Sequence, residues 1–235
     1  MTLWIDRKTQ IFRHDERTGF LMYRKSRTYL LSEILGVLVI LLPWIFITIA
    51  IHLNPWFHVN FNALSDLGGN NYGSGRHPGP NFPSVYNDGL ILSGLVIGLF
   101  SISSIWNSRS RSEIIGLSFF ILDGLFLALV GVYHEGTAPH VFLAEWFFLI
   151  GKVTFFILGF SLILQRAFSY ATALLLLDAF AWLIEARITF VSVAEYEIYN
   201  VLIMDFLVLI YLLKLRAAHT LTAEMREPYD NYIGN

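Results

Sequence analysis

Two short polar runs carry most of the groups in this chain that could do chemistry: Asn62-Ala63-Leu64-Ser65-Asp66-Leu67-Gly68-Gly69 and His134-Glu135-Gly136-Thr137-Ala138-Pro139-His140. His134 and His140, joined by Asp66 and Glu145, supply the nitrogen and oxygen donors that suit zinc or another divalent metal, with Glu135, His52 and His58 as further donors. Such an ion would activate water against a lipid ester or phosphate. The spacing argues against it, because the two histidines are six positions apart across Gly and Pro, where a helix-borne pair needs i, i+4. Without metal, Ser65 reads as a nucleophile with His140 as its base and Asp66 or Glu135 as the orienting carboxylate. As a local explanation Ser65-Asp66 reads better as a helix N-cap or Asx turn, with Gly68 or Gly69 taking a left-handed position.

A second set of candidate groups is more surprising, because it lies in apolar surroundings. Asp123, Lys152, Asp178, Glu185 and Asp205 all fall within long hydrophobic segments, where charge is costly and pairs inside a bundle. At about 1.5 Å of rise per residue, Lys152 lies roughly 18 Å beyond His140. Asp123, Asp178 and Asp205 reach a similar depth, so one lysine shares a layer with up to three aspartates and a Lys–Asp pair is expected. Glu145 and Lys152 are seven apart, and Asp178, Trp182 and Glu185 follow i, i+4, i+7, so each set keeps one helix face. These stripes read either as a proton or ion path or as a buried structural network.

The elements that must position these groups are membrane spans. Of 235 residues 55% are hydrophobic and 14% charged, with a mean hydropathy of +0.57, which is too apolar for an ordinary soluble domain. A spanning helix needs about 20 mainly apolar residues, and six segments qualify: Tyr29–Leu53, Tyr86–Trp106, Glu113–Tyr133, Val141–Leu164, Tyr170–Phe190 and Tyr196–Leu213. The expected fold is all-α, a six-helix transmembrane bundle over residues 29–213, with a basic segment at 1–28 and a tail at 214–235. Segment 1–28 interleaves apolar and basic residues and reads as a flank that caps the bundle or docks on anionic headgroups. Net charge is −2 and no strongly basic domain stands out, so nucleic acid is not an expected partner. Cysteine is absent, which excludes disulfides, thiolate nucleophiles and Cys-ligated metal.

Lys and Arg set the orientation. Thirteen of the sixteen fall in the N-terminal segment, the 2–3 and 4–5 connections and the tail; only Arg76 lies in the opposite loops, and Lys152 and Arg187 fall inside spans. Both termini are therefore expected in the cytoplasm. The two polar runs then share the outer face and can form one site, over which the Gly- and Asn-rich stretch after Gly69 would act as a lid or a loose linker. Gly94 and Gly98 on span 2 give a small-xxx-small pattern suited to close helix packing within the bundle.

Asn62-Ala63-Leu64-Ser65-Asp66-Leu67-Gly68, the span opening Tyr86-Asn87-Asp88-Gly89-Leu90-Ile91-Leu92-Ser93-Gly94, and Gly131-Val132-Tyr133-His134-Glu135 followed by His140 resemble the six-helix prokaryotic membrane family catalogued as domain of unknown function 998. The likeness covers spans 1 to 6. That family is in turn distantly similar to the DRAM/Sfk membrane proteins, which carry an S-D-x-G element after the first span. Ser65, Asp66, Glu135 and His140 match the family pattern. The chain departs from it at His134, where the family tends to have proline. The resemblance implies a fold, a site location and a prokaryotic plasma membrane, and leaves the reaction open.

With no high-specificity catalytic motif, the leading expectation is a non-enzymatic membrane protein. It would be an accessory or structural subunit, or a lipid-interacting module, with a polar site on the outer face. Its partners would be membrane lipids, other membrane subunits or a second copy. A metal-dependent hydrolase acting on lipid headgroups is the alternative, and a proton or ion transporter the third.

Overall fold

The computed structural model describes residues 7–69, 78–108 and 110–233, and within them the side chains of 27–69, 78–108 and 110–221. The run proposed as a lid, 70–77, lies outside the described residues, as do the side chains of the basic N-terminal segment up to Ser26. The elements are α1 (Arg7–Leu53), a single 3-10 turn (Leu64–Leu67), α2 (Pro83–Asn107), α3 (Arg111–Val132), α4 (His140–Leu164), α5 (Phe168–Arg187) and α6 (Val193–Ile233). No strand occurs among the described residues. Each helix contains a stretch long and apolar enough to cross a membrane, beginning with Arg27–Leu53 and ending with Val193–Leu221. The sequence boundaries at 28/29 and 213/214 fall inside α1 and α6, which continue through them as unbroken helix.

Local chemistry fixes where the helices begin. Pro83 occupies the first turn of α2, where its missing N–H costs nothing. Ser110 caps α3 by accepting from the Glu113 backbone N–H. Ser192 accepts from the Glu195 N–H to start α6, and the Glu195 carboxylate accepts from Val191 N–H at 3.1 Å. Each helix packs on the next in sequence, and α6 packs back on α1, so the six form a closed ring. Exposed Leu30, Ile34, Leu38, Leu41, Ile45 and Ile49 run along one side of α1, as expected of a surface facing lipid.

Close approach inside the ring depends on small residues. A Cβ on Gly94 would run into the backbone carbonyl of Gly124 across the α2/α3 seam, whereas Gly98 faces open space. The packing role expected of the pair therefore belongs to Gly94 alone, and it acts within the bundle.

The core is layered along the membrane normal. At the face carrying the termini, the buried Glu113 carboxylate accepts from Tyr211 Oη at 2.8 Å, from Ser108 Oγ at 2.6 Å and from Lys214 Nζ. Beside it Asn107 joins α2 to α1, accepting from Thr28 Oγ1 at 2.6 Å and donating to Ser32 Oγ at 3.0 Å. Above this layer Phe100 meets Phe120 and Tyr211 edge-on, with ring centroids 6.2 and 6.3 Å apart, and Phe120 meets Phe155 at 5.3 Å. This aromatic plug draws on α2, α3, α4 and α6.

Glu113→Ala strands the Lys214 ammonium and the Tyr211 hydroxyl where water cannot reach both. The substitution should cost about 3 kcal/mol, read as a lowered thermal midpoint in detergent. Glu113→Gln, which keeps an acceptor, should lose less.

Candidate functional site

Opposite the termini, the 1–2, 3–4 and 5–6 connections converge. The 1–2 loop folds on itself first: Asn62 Oδ1 accepts from His58 N–H at 2.8 Å, and Asp66 Oδ2 accepts from Ala63 N–H at 2.9 Å. Asp66 thus closes the 3-10 turn from within it, and the cap position is Ala63. The expectation of a Ser65-Asp66 cap is corrected accordingly. Gly68 has φ −110°, so it is not the left-handed residue the turn reading required. Its lack of a side chain matters for contact: a Cβ there would strike the Asn87 side chain, which donates to Gly68 O at 2.9 Å. A Cβ on Gly69 would strike Glu135. The two glycines let the 1–2 loop lie flat against α2 and the 3–4 loop.

The other side of the loop is held by α6. Ala194 N–H donates to Asn62 O at 2.9 Å, Ser192 Oγ donates to Val59 O, and the Glu197 carboxylate accepts from Leu64 N–H at 2.5 Å. Glu197 also faces the Ser65 backbone N–H. Asn62, Leu64, Ser65, Asp66 and Leu67 are all buried, so this polar backbone has entered the helical ring and needs these partners.

His140 is buried at the first residue of α4. Its Nδ1 donates to Tyr133 O at 2.9 Å, and its Nε2 stands 3.2 Å from Glu135 Oε2. The tautomer is fixed by the carbonyl, which can only accept.

Ser65, His140 and Glu197 sit at a junction between two cavities. Toward the loop face is a cleft of about 350 Å³ whose wall includes Asp66, Glu135, Glu145 and Tyr196. Toward the middle of the bundle is a narrower cavity of about 70 Å³, walled by aliphatic side chains such as Ile47, Leu90, Leu127 and Val201. On α6 it runs from Glu197 to Val208, roughly 16 Å of helix. Tyr86 in the second turn of α2 also lines it. Four elements therefore bring Ser65, Tyr86, His140 and Glu197 to one place.

The two polar runs meet as the sequence led us to expect, but the metal set does not form. Among the described residues no three His, Asp or Glu side chains are placed to hold one ion. His134 Nδ1 is bonded to Glu135 O at 2.9 Å, both His140 nitrogens face acceptors of their own, and Glu145 stays exposed on the cleft wall. The His140 nitrogens stand against Tyr133 O and Glu135 Oε2, so the expected nucleophile and base share a wall without being hydrogen-bonded.

The five intramembrane charges divide into separate groups. Lys152 Nζ bonds both Glu185 oxygens at 2.5 Å and lies 4.8 Å from the Trp182 ring centroid. Its partner is thus a glutamate, where an aspartate was expected, because the lysine stem reaches up toward the end of α5. Asp178 stands close enough to feel both charges. Asp205 is held by Trp44 Nε1 at 2.6 Å across the α1/α6 seam. Asp123 is fully buried with both oxygens lacking a hydrogen bond, on the other side of α4 beside Gly151 and Met204.

A family model described as protein of unknown function (DUF998) matches residues 37–214, from within α1 to within α6. The chain belongs to the DUF998 family. No curated protein and no solved structure matches it. The DUF998 match encloses every residue of the junction, while the long N-terminal part of α1 and the end of α6 lie outside it.

Glu197 and Tyr86 were not singled out from the sequence as site residues. Tyr86 stood in the motif that carried the family resemblance. For Glu197 the signal was its place a turn inside an apolar helix, where an acid is costly without a partner.

Two outcomes follow for this DUF998 protein. Elemental analysis of chain purified without added metal should return well below one zinc or other divalent ion per molecule. Because the sequence has no cysteine, an Asn62→Cys/Ala194→Cys pair can be read cleanly, and it should form an intramolecular disulfide under mild oxidation.

Proposed function

We propose that this integral membrane protein is a lipid-interacting module that seats the head of a membrane amphiphile at the Ser65/Tyr86/His140/Glu197 junction and its chain in the aliphatic cavity below. We further place it in the plasma membrane of a prokaryote with both termini cytoplasmic, so that the site opens on the outer face. The single observation that carries the reading is that the two cavities adjoin: Ser65, His140, Ala144, Phe148 and Glu197 line both the polar cleft and the aliphatic cavity. A pocket that is polar at its mouth and hydrocarbon-lined behind it matches an amphiphile in both position and chemistry.

The competing readings have less support. Hydrolysis by Ser65 would require a base hydrogen-bonded to its hydroxyl, and the His140 nitrogens stand against Tyr133 O and Glu135 Oε2 instead. Conduction or transport across the bundle would require the Phe100/Phe120/Phe155/Tyr211 plug to part, and these are among the most deeply buried side chains of the chain.

The reading is tested by native mass spectrometry of the detergent-purified chain. About one amphiphile per molecule should survive delipidation, and Val201→Trp, which fills the aliphatic cavity, should at least halve the retained fraction while the thermal midpoint reports that the fold is kept. Absence of any retained amphiphile in the parent chain would overturn it.

A further inference from the structure

The junction also specifies what kind of head it receives. Two hydroxyls line it without a hydrogen-bond partner among the described residues: Ser65 Oγ and Tyr86 Oη, on side chains each only 6% exposed. Both residues are otherwise fixed. Ser65 is held through its backbone by the 3-10 turn, and the Tyr86 ring packs against Gly68. Neither hydroxyl oxygen is among the fully enclosed polar atoms that lack a partner, so both open onto the cavity, and whatever fills it meets them. Beside them stands Glu197, whose Oε2 takes one backbone N–H and whose carboxylate has capacity for more. Tyr86 lies near enough to Glu197 to feel its charge.

We infer that the head is a primary ammonium, carried on a single hydrocarbon chain. The inference rests on the amphiphile reading above and adds the chemistry of the head. An ammonium has three N–H donors and one positive charge, which matches three acceptors: the Glu197 carboxylate, Ser65 Oγ and Tyr86 Oη. The bond to Glu197 is charge-assisted and forms away from bulk water, where it is strongest.

Other heads fit worse for stated reasons. A phosphate or carboxylate would face Glu197 at the junction and Glu145 on the cleft wall, and His140, the only base among the described lining residues, already faces Glu135. A trimethylammonium carries the charge but donates nothing, and leaves both hydroxyls unpartnered. An alcohol supplies one donor where the lining offers three acceptors.

The test compares four probes of equal chain length, dodecylamine, dodecanol, dodecyltrimethylammonium and dodecyl phosphate, added at equal mole fraction to the full chain in maltoside micelles at pH 7. Adducts are counted by native mass spectrometry. Dodecylamine should be retained about tenfold over each of the others, a difference of about 1.4 kcal/mol. Glu197→Gln keeps an acceptor for Leu64 N–H and should bring the amine preference to within about twofold. Tyr86→Phe keeps the ring on Gly68 and should reduce the preference without changing the thermal midpoint.

If no probe is retained, the amine head and the amphiphile reading both fall. Equal retention of all four probes, or a preference for dodecyl phosphate, overturns the amine head and leaves the amphiphile reading standing. A tenfold amine preference that survives both Glu197→Gln and Tyr86→Phe overturns the assignment to this junction.

Discussion

The bond from Leu64 N–H to the Glu197 carboxylate is the interaction on which the site depends. In a bundle surrounded by lipid, irregular backbone is tolerated only where its polar groups are met by protein or line a cavity. The segment from Asn62 to Gly69 breaks the helical rule at the end of the ring, and Glu197, Ala194 and Ser192 of the α6 region receive it. Once the loop is seated there, Ser65 is carried to the cavity wall, Gly69 is pressed against Glu135, and the α1 and α6 ends are joined by a wedge of loop. A carboxylate that holds backbone on one side and faces a cavity on the other is both a structural partner and a ligand for whatever enters.

The rest of the ring follows from stacking unlike layers. The Glu113 layer staples α1, α2, α3 and α6 at the terminal face, and the aromatic plug above it excludes water from the middle. Between plug and junction the walls are aliphatic, with Trp44–Asp205 closing the seam where Pro43 interrupts the α1 hydrogen-bond ladder. The aliphatic cavity adjoins the cleft at the loop face, and the aromatic plug lies toward the terminal face.

Much of this was legible in the sequence, for a physical reason. Hydrocarbon demands long apolar helices, so span positions appear in composition alone, and the six expected segments agree with the apolar spans of the observed helices to within a few residues except at the end of the last. Orientation-free geometry also made it plain that Ser65, Asp66, Glu135 and His140 share a face. What the sequence could not show is which way a charged side chain turns. Lys152 and Asp178 shared a layer by counting residues, yet Lys152 extends along its stem to Glu185 instead. Glu197 is one of two acids in the first turns of α6; Glu195 caps the helix while Glu197 points inward, and only the packing of the 1–2 loop distinguishes them.

The same distinction explains why the polar runs read from sequence as a metal site or a triad, while among the described residues their side chains serve the backbone. Histidine and carboxylate at loop ends are equally the residues that satisfy loose backbone, and the structure employs them so: His140 on Tyr133 O, His134 on Glu135 O, Asp66 on Ala63 N–H. An imidazole nitrogen already bonded to the chain has no valence left for an ion or a substrate. The groups that do have it, the Ser65 and Tyr86 hydroxyls, are neutral and weakly polar, and so give little sign of themselves in composition. Which polar atoms keep hydrogen-bonding capacity once the backbone has been served is a property of the folded ring, and composition does not show it.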